Sequence, residues 1–98
     1  MGWKVIFSKT SRADLFHIAS YIAKDDPLTA KRFANNLLSR AESLATAPKM
    51  GVIYQRDGTA RYIVHRSYLI IYDLEEKRQE IVVHRFWHGA QSTRPKLP

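Results

Sequence analysis

Apolar side chains recur at intervals of three and four residues through the N-terminal half of the chain. Leu15, Ile18, Ala19 and Ile22 form one such set, and a longer set follows it. Because this spacing places side chains on one face of a helix, the pattern predicts two amphipathic helices. The longer set consists of Ala30, Phe33, Ala34, Leu37, Leu38, Ala41, Leu44 and Ala45.

Capping residues set the predicted ends of these helices. Ser11 precedes Asp14 by three residues, the spacing of a capping box, so we expect the first helix to begin at Ser11 and to end near Lys24. The pair Asp26-Pro27 predicts the start of the second helix. This helix is expected to run for about twenty residues, until Ala47-Pro48 ends it. The short link at 25–26 makes the two helices an antiparallel hairpin.

The strands are predicted by runs of β-branched and aromatic residues. Trp3 to Phe7 form a first short strand, and three further runs lie near 61–66, 68–74 and 80–87, separated by polar turns. The order strand, helix, helix, strand, strand, strand predicts an α+β fold with the helical hairpin packed on a small antiparallel sheet. We expect a single domain over residues 1–91 and a loose tail over 92–98, which has two prolines and no periodicity.

Composition narrows the expected partners. The 98 residues carry a formal net charge of +7, which favours polyanions or an acidic protein. There is no cysteine, so disulfides and thiolate metal sites are excluded. The apolar runs are too short for a membrane span. We therefore expect a cytoplasmic protein with no cofactor, no metal, no membrane partner and no small-molecule substrate.

The predicted C-terminal strands carry the candidate chemistry, because histidines and arginines interrupt their apolar runs. In a regular strand, His84 and His88 share a face with Phe86, while Arg85 lies on the opposite face with Trp87. The basic residues of this region are Arg61, His65, Arg66, His84, Arg85 and His88.

The order and spacing of several short motifs carry a resemblance to a known family. These motifs are Ala13-Asp14-Leu15, Tyr21-Ile22-Ala23, Asp26-Pro27, Arg61-Tyr62, Tyr68-Leu69-Ile70-Ile71-Tyr72 and Phe86-Trp87-His88-Gly89-Ala90. With them, nearly the whole chain resembles the ParE/RelE superfamily of bacterial toxins from type II toxin–antitoxin systems, often labelled plasmid-stabilisation proteins. The resemblance implies a RelE/ParE-like fold and a cognate antitoxin as partner.

Members of this superfamily differ in the cellular molecule that they attack. Members similar to RelE cleave messenger RNA on the ribosome, whereas members similar to ParE inhibit DNA gyrase without being nucleases. Metal-free RNA cleavage needs a base, an acid and cations around the phosphate. The positions that approximately match the basic residues and the tyrosine of RelE-like toxins are here Ile63, His65, Leu69, Gln91 and Leu97. Most of that set is absent, so the resemblance favours a ParE-like gyrase inhibitor rather than an enzyme.

Two alternatives stay open on the sequence. One is a RelE-like endoribonuclease that uses His84, His88 and Arg66 and has messenger RNA or the ribosome as partner. In that reading the two histidines are the acid and base; otherwise they are hydrogen-bonded structural residues. The other alternative is a degenerate toxin that retains only antitoxin binding, which Gln91 in place of a basic residue makes credible.

An antitoxin that binds a chain of charge +7 is expected to be acidic where it touches the toxin. The residues expected to contact the partner are Arg61, Arg66, Arg85, Trp87 and His88. Each of these residues also has a structural alternative. Arg61 could anchor the strand by pairing with a helix carboxylate such as Asp14. Arg66 and Arg85 are alternatively solvated charges, and Trp87 is alternatively a core aromatic residue like Tyr72.

Overall fold

The computed structural model describes residues 2–56 and 58–90. It confirms the predicted α+β fold, with one short strand added in the loop before the last three strands. The elements are β1 (Lys4–Phe7), α1 (Lys9–Ala23), α2 (Pro27–Glu42), β2 (Val52–Ile53), β3 (Arg61–His65), β4 (Tyr68–Glu75) and β5 (Glu80–His88). The predicted tail at 92–98 lies outside the described residues.

The five strands form one sheet in the order β1-β5-β4-β3-β2. The strands β2 to β5 pair antiparallel, whereas β1 pairs parallel with β5, so the sheet is mixed rather than wholly antiparallel. The helical hairpin separates β1 from the other strands in sequence. No tight turn therefore forces β1 into an antiparallel pairing.

The N-cap of the first helix lies three residues earlier than predicted, at Ser8 instead of Ser11. Ser8 is its N-cap, with the side-chain oxygen accepting a hydrogen bond from the Ser11 N–H at 3.0 Å. Ser11 is fully buried, and its hydroxyl donates to the Ser8 carbonyl at 2.9 Å. Ser11 is therefore not the cap, and Asp14 is not needed at the helix start. It is available for a contact with the sheet.

The second helix begins as predicted. Asp26 accepts hydrogen bonds from the Leu28 and Thr29 N–H groups at 3.2 Å, and Pro27 occupies the first turn. The Thr29 hydroxyl donates to the same carboxylate at 2.7 Å, and this bond is the main cause of a lowered pKa for Asp26. The helix proper covers 16 residues, and a 3-10 turn, Ser43–Thr46, continues it toward Pro48.

The main core lies between the helical hairpin and one face of the sheet. Leu37 and Ala41 of α2 are fully buried there, as is Leu44 of the 3-10 turn, and α1 adds the half-buried Leu15 and Ile18. A smaller cluster lies on the opposite sheet face, where Ala60, Leu69 and Ile71 are flanked by Tyr54, Tyr62 and Trp87. The sheet residues of the main core are Ile63, Ile70, Tyr72, Ile81, Val83 and Phe86. Among the described residues, no helix is long and apolar enough to cross a membrane.

A β-bulge in β5 changes which side chains share a face. Val83 pairs with Tyr72, but Arg85 pairs with Ile71, so His84 is an extra residue on β5. One extra residue reverses the alternation of all that follow. Phe86 consequently joins Val83 in the main core.

The bulge places the two histidines of β5 on opposite faces. His88 pairs with Tyr68, which packs against the main core, while His84 contacts Asp73 on the other side. The prediction that His84 and His88 share a face is therefore wrong. Arg85 keeps the predicted face of Trp87, opposite to Phe86.

Candidate functional site

Asp14 on α1 and Arg85 on β5 form the best-defined polar contact of the structure. The Arg85 Nε donates to Asp14 Oδ2 at 2.7 Å, and Nη2 donates to Oδ1 at 2.9 Å. Such two-point pairing is the strongest geometry for these groups. It raises the pKa of Arg85 above its ordinary value.

The same carboxylate also completes the edge of the sheet. The strand β1 pairs with β5 only as far as Val83, and beyond this point the Phe86 N–H donates to Asp14 Oδ2 at 3.1 Å. Asp14 therefore accepts a hydrogen bond from a backbone N–H that would pair with β1 if that strand were longer. The charge of Arg85 is thus paired with Asp14 inside the chain, and its contact with a partner stays a prediction.

Arg61 is an anchor, but it does not anchor to Asp14 as the sequence suggested. Its guanidinium donates to the carbonyl oxygens of Gly51 at 2.9 Å and Lys49 at 3.4 Å. The adjacent Tyr72 hydroxyl donates to the Pro48 carbonyl at 2.7 Å and accepts from the Gly51 N–H at 3.0 Å. Arg61 and Tyr72 thus fix the loop between α2 and β2 to the sheet.

Arg66 and Trp87 have different environments. Arg66 is exposed at the tip of the β3–β4 hairpin, where its φ of 55° lies in the left-handed region. Trp87 is half-buried against the smaller cluster, and the Arg85 guanidinium lies 5.0 Å from its ring centroid. The indole Nε1 is buried without a hydrogen-bond partner in the described part of the chain.

His84 belongs to a polar chain on the helix-free face of the sheet. Its Nε2 lies 3.1 Å from Asp73 Oδ2, and the Thr59 hydroxyl donates to Asp73 Oδ1 at 2.7 Å. The carboxylate stands between the imidazole and the hydroxyl. Activation of a hydroxyl nucleophile requires the imidazole in that middle position, so these three residues are not arranged as a nucleophilic triad.

A backbone hydrogen bond sets the tautomer of the neutral His88 ring. The Ala90 N–H donates to His88 Nδ1 at 3.1 Å, so Nδ1 is an acceptor and the neutral ring carries its proton on Nε2. The ring meets Tyr68 edge-on, with centroids 4.9 Å apart. In this state His88 is a hydrogen-bond donor and not a base.

A cleft of about 290 Å³ lies between α1 and the end of β5. Its walls include His17 and Tyr21 from α1 and Tyr68 and His88 from the sheet. Burial raises the pKa of Tyr68, so its phenol stays protonated. Among the described residues of the lining, Asp14 is the only carboxylate, and Arg85 already binds it. The cleft therefore offers hydrogen-bond donors to a ligand.

The structure brings together only part of the predicted nuclease set. Arg66 and His88 lie at the same end of the sheet, because the Gly89 N–H donates to the Ser67 carbonyl at 2.7 Å. His84 lies on the opposite face. Within residues 2–56 and 58–90, no group of three histidine or acidic side chains is placed to hold a metal ion.

Two exposed aromatic residues on α1 were not among the predicted site residues. Phe16 is 68% exposed and Tyr21 is 73% exposed. The sequence did contain a signal for them, because both fall outside the apolar face formed by Leu15, Ile18 and Ile22. Exposed apolar side chains mark a binding surface where they form a contiguous patch, whereas single ones are ordinary on a protein surface.

The fold is that of the toxins in type II toxin–antitoxin systems, as two solved structures indicate. A chromosomal ParDE toxin–antitoxin system from P. aeruginosa matches with a TM-score of 0.74 and 16% identity, over 88% of this chain and 95% of that one. The RelBE2 toxin–antitoxin complex from Mycobacterium tuberculosis matches with a TM-score of 0.68 and 21% identity, over 90% and 99% of the two chains. At these identities the likeness establishes the fold alone.

The family follows from the sequence profile. The family described as "ParE toxin of type II toxin-antitoxin system, parDE" matches residues 5–93. The chain therefore belongs to the ParE toxin family, which confirms the resemblance found in its motifs. A comparison with curated proteins finds no significant match.

Proposed function

We propose that this ParE-family toxin acts in the cytoplasm by inhibiting DNA gyrase through surface contacts, and that a cognate antitoxin neutralises it. A role in plasmid maintenance fits such a pair. The observation that carries the proposal is the separation of His84 and His88 on opposite faces of the sheet, since it leaves the predicted nuclease set incomplete.

The chemistry of RNA cleavage explains why this separation matters. A base must take the 2′-hydroxyl proton and an acid must protonate the leaving oxygen, both within reach of one phosphodiester. His84 is held by Asp73 on one face, and His88 on the other face has its Nδ1 occupied by the Ala90 N–H. This arrangement supports inhibition by binding rather than by cleavage.

The proposed antitoxin contact rests on the net charge of the chain and on the solved structures that share its fold. The chain carries +7, and of the two solved structures cited above one is named a ParDE toxin–antitoxin system and the other a toxin–antitoxin complex. An acidic segment that folds on binding would complement this charge. Arg66, Trp87 and His88 are proposed to contact a partner directly, whereas Arg61 and Arg85 position the surface from within.

An endoribonuclease is the second candidate. Arg66 and His88 lie at one end of the sheet, where together they offer a cation and a proton donor. One of the solved folds cited above is a RelBE complex. Under this alternative, messenger RNA is the substrate and the ribosome is a partner.

Controlled induction in a bacterial host tests the proposal. Plasmid supercoiling, double-strand-break signalling and mapped messenger RNA ends are measured in the same cultures, with and without the small reading frame adjacent to the toxin gene. We expect reduced supercoiling, break signalling and unchanged RNA ends, all reversed by co-expression of the adjacent frame. Codon-phased RNA ends with normal supercoiling would contradict gyrase inhibition, and the absence of any growth effect would favour a degenerate toxin.

A further inference from the structure

A second cavity, of about 450 Å³, lies at the end of the sheet where β1 begins. It is distinct from the cleft beside α1 and has the size of a small-molecule site. Its walls come from the residue before β1, from the loop between the 3-10 turn and β2, and from the turn between β4 and β5. The lining residues are Trp3, Ala47, Pro48, Lys49, Met50 and Glu76.

Hydrogen bonds fix the loop that forms one wall of this cavity. The Met50 N–H donates to the Ala47 carbonyl at 3.1 Å. The buried Tyr72 hydroxyl donates to the Pro48 carbonyl at 2.7 Å and accepts from the Gly51 N–H at 3.0 Å. Because these bonds hold the loop in the absence of a ligand, the cavity is preformed and little ordering is needed on binding.

The apolar part of the cavity fits an aromatic ring. Trp3 is half-buried and packs against the main core, so its position is fixed. Met50 is 48% exposed although its side chain is large and apolar. A ring placed between the two would remove this apolar surface from water, and a thioether contacts aromatic rings favourably.

A loosely paired cation and anion complete the lining. Lys49 Nζ lies 3.9 Å from Glu76 Oε1, and the two side chains are 65% and 67% exposed. So long and solvated a pair contributes little to stability, so both groups can turn to a ligand at small cost. Among the described residues, the other charged groups lining the adjoining cavity are Arg61 and Asp73, which already have hydrogen bonds of 2.9 and 2.7 Å within the chain.

We propose that this cavity binds a free amino acid with an aromatic side chain. The ring lies between Trp3 and Met50, the carboxylate meets Lys49, and the ammonium group meets Glu76. An amino acid carries both charges on one carbon, so it can reach a cation and an anion that lie 3.9 Å apart. A simple carboxylate would be repelled by Glu76 and a simple amine by Lys49, so the pair selects a zwitterion.

The test is a titration of the purified, ¹⁵N-labelled full chain with L-phenylalanine, followed by nuclear magnetic resonance. The chain has two tryptophans, so the spectrum reports separately on Trp3 in the cavity and on Trp87 elsewhere. We expect a saturable shift of the Trp3 indole N–H with a dissociation constant on the order of 1 mM. Glycine, phenylacetate and 2-phenylethylamine each lack the ring, the ammonium or the carboxylate, and should bind at least about tenfold more weakly.

Charge variants distinguish the two polar contacts. Lys49→Gln should weaken L-phenylalanine binding about fivefold without weakening 2-phenylethylamine, and Glu76→Gln should remove the discrimination against phenylacetate. Lys77→Gln and Glu75→Gln make the same changes at exposed positions outside the lining, and should bind like the wild type. A purely structural role of the pair would change the affinity for all ligands alike.

Four outcomes would overturn the amino-acid site. They are no Trp3 shift at about 20 mM L-phenylalanine, equal wild-type affinity for phenylacetate and L-phenylalanine, and equal shifts of Trp3 and Trp87. The fourth is a Trp3 resonance that moves with protein concentration in the absence of ligand, which would assign the cavity to a second copy of the chain. None of these results bears on gyrase inhibition, which the induction experiment tests separately.

Discussion

Asp14 and Arg85 lie 71 residues apart in the sequence and form a two-point ion pair, with Nε to Oδ2 at 2.7 Å. The pair joins α1 to β5 where β1 has ended and the edge of β5 is otherwise uncovered. Because the two charges neutralise each other, neither the Arg85 guanidinium nor Asp14, the only carboxylate of α1, is left as a free surface charge. The basic character of α1 and the limited freedom of Arg85 are both consequences of this contact.

Loss of the Asp14 charge should destabilise the fold. Asp14 is 13% exposed and Arg85 is 26% exposed, so Asp14→Asn leaves a largely buried guanidinium without its counter-charge. We expect a loss of about 2 kcal/mol in the free energy of unfolding. Urea denaturation at pH 7 measures it. The exposed Asp25→Asn is the control, with a change within about 0.5 kcal/mol, and equal stabilities of the two variants would contradict a structural role for the pair.

Substitutions at the contact between Tyr72 and the loop that it anchors should lower the stability of the fold. Tyr72 is fully buried, and Tyr72→Phe removes its hydrogen bonds to Pro48 and Gly51, at a cost of about 1 to 2 kcal/mol. A Cβ at Gly51 would lie 2.5 Å from the Tyr72 hydroxyl and 2.8 Å from the Tyr62 carbonyl. Gly51→Ala should therefore destabilise the fold by at least as much.

The double variant separates the two contacts at Gly51. Removal of the Tyr72 hydroxyl relieves the shortest clash and leaves the Tyr62 carbonyl at 2.8 Å and the ring Cε1 of residue 72 at 2.9 Å, so the two losses should be less than additive in thermal and urea unfolding. Gly58→Ala meets its nearest atom at 3.4 Å and should be well tolerated. Strict additivity would show that Gly51 and Tyr72 do not interact as described.

Stability should depend on the protonation of His65. Burial, with the nearby Arg66 and Arg40 as further causes, lowers its pKa below the ordinary value of about 6.5. Between the folded and unfolded pKa values the unfolded chain binds more protons, so stability falls as the pH decreases below about 6.5 through the folded pKa. His65→Phe should flatten this part of the pH profile of urea unfolding. The exposed Asn36→Gln, which changes no titrating group, should keep the wild-type profile, and an unchanged slope in His65→Phe would contradict the assignment.

Toxicity should not require the histidines of β5. His84 and His88 lie on opposite faces, and neither is placed as a base beside a cationic site. His84→Ala and the double variant His84→Ala/His88→Ala should still arrest growth on induction, provided that circular dichroism shows them folded. If growth arrest is lost in folded His84→Ala, the nuclease alternative gains support.

The elements of the fold were predictable because they depend on local patterns. The helical periods, the Asp26-Pro27 start and the three C-terminal strands all follow from spacing and from capping chemistry. The strand β2 was missed because its two residues are too few to produce an alternation. The start of α1 was misplaced because Ser8 and Ser11 both qualify as caps, and only burial of Ser11 decides between them.

The candidate site was less predictable because it depends on one bulge and on long-range pairing. No residue type marks His84 as the extra position in β5, yet that position decides the face of Phe86 and His88. The sequence offered Arg61 and Arg85 as partner contacts and Arg61 alternatively as an anchor to Asp14, whereas the fold pairs Arg61 with backbone carbonyls and Arg85 with Asp14. Phe16 and Tyr21 were visible as exceptions to the helical pattern, but only the packed hairpin establishes that they are exposed.

Inhibition of purified DNA gyrase tests the central claim most directly. Relaxed plasmid is supercoiled by gyrase and ATP with increasing amounts of the purified toxin, and a labelled messenger RNA in the same buffer, with and without ribosomes, reports on cleavage. We predict concentration-dependent loss of supercoiling, reversal by the antitoxin and an intact RNA. Full gyrase activity at a large molar excess of toxin, together with cleaved RNA, would contradict the account.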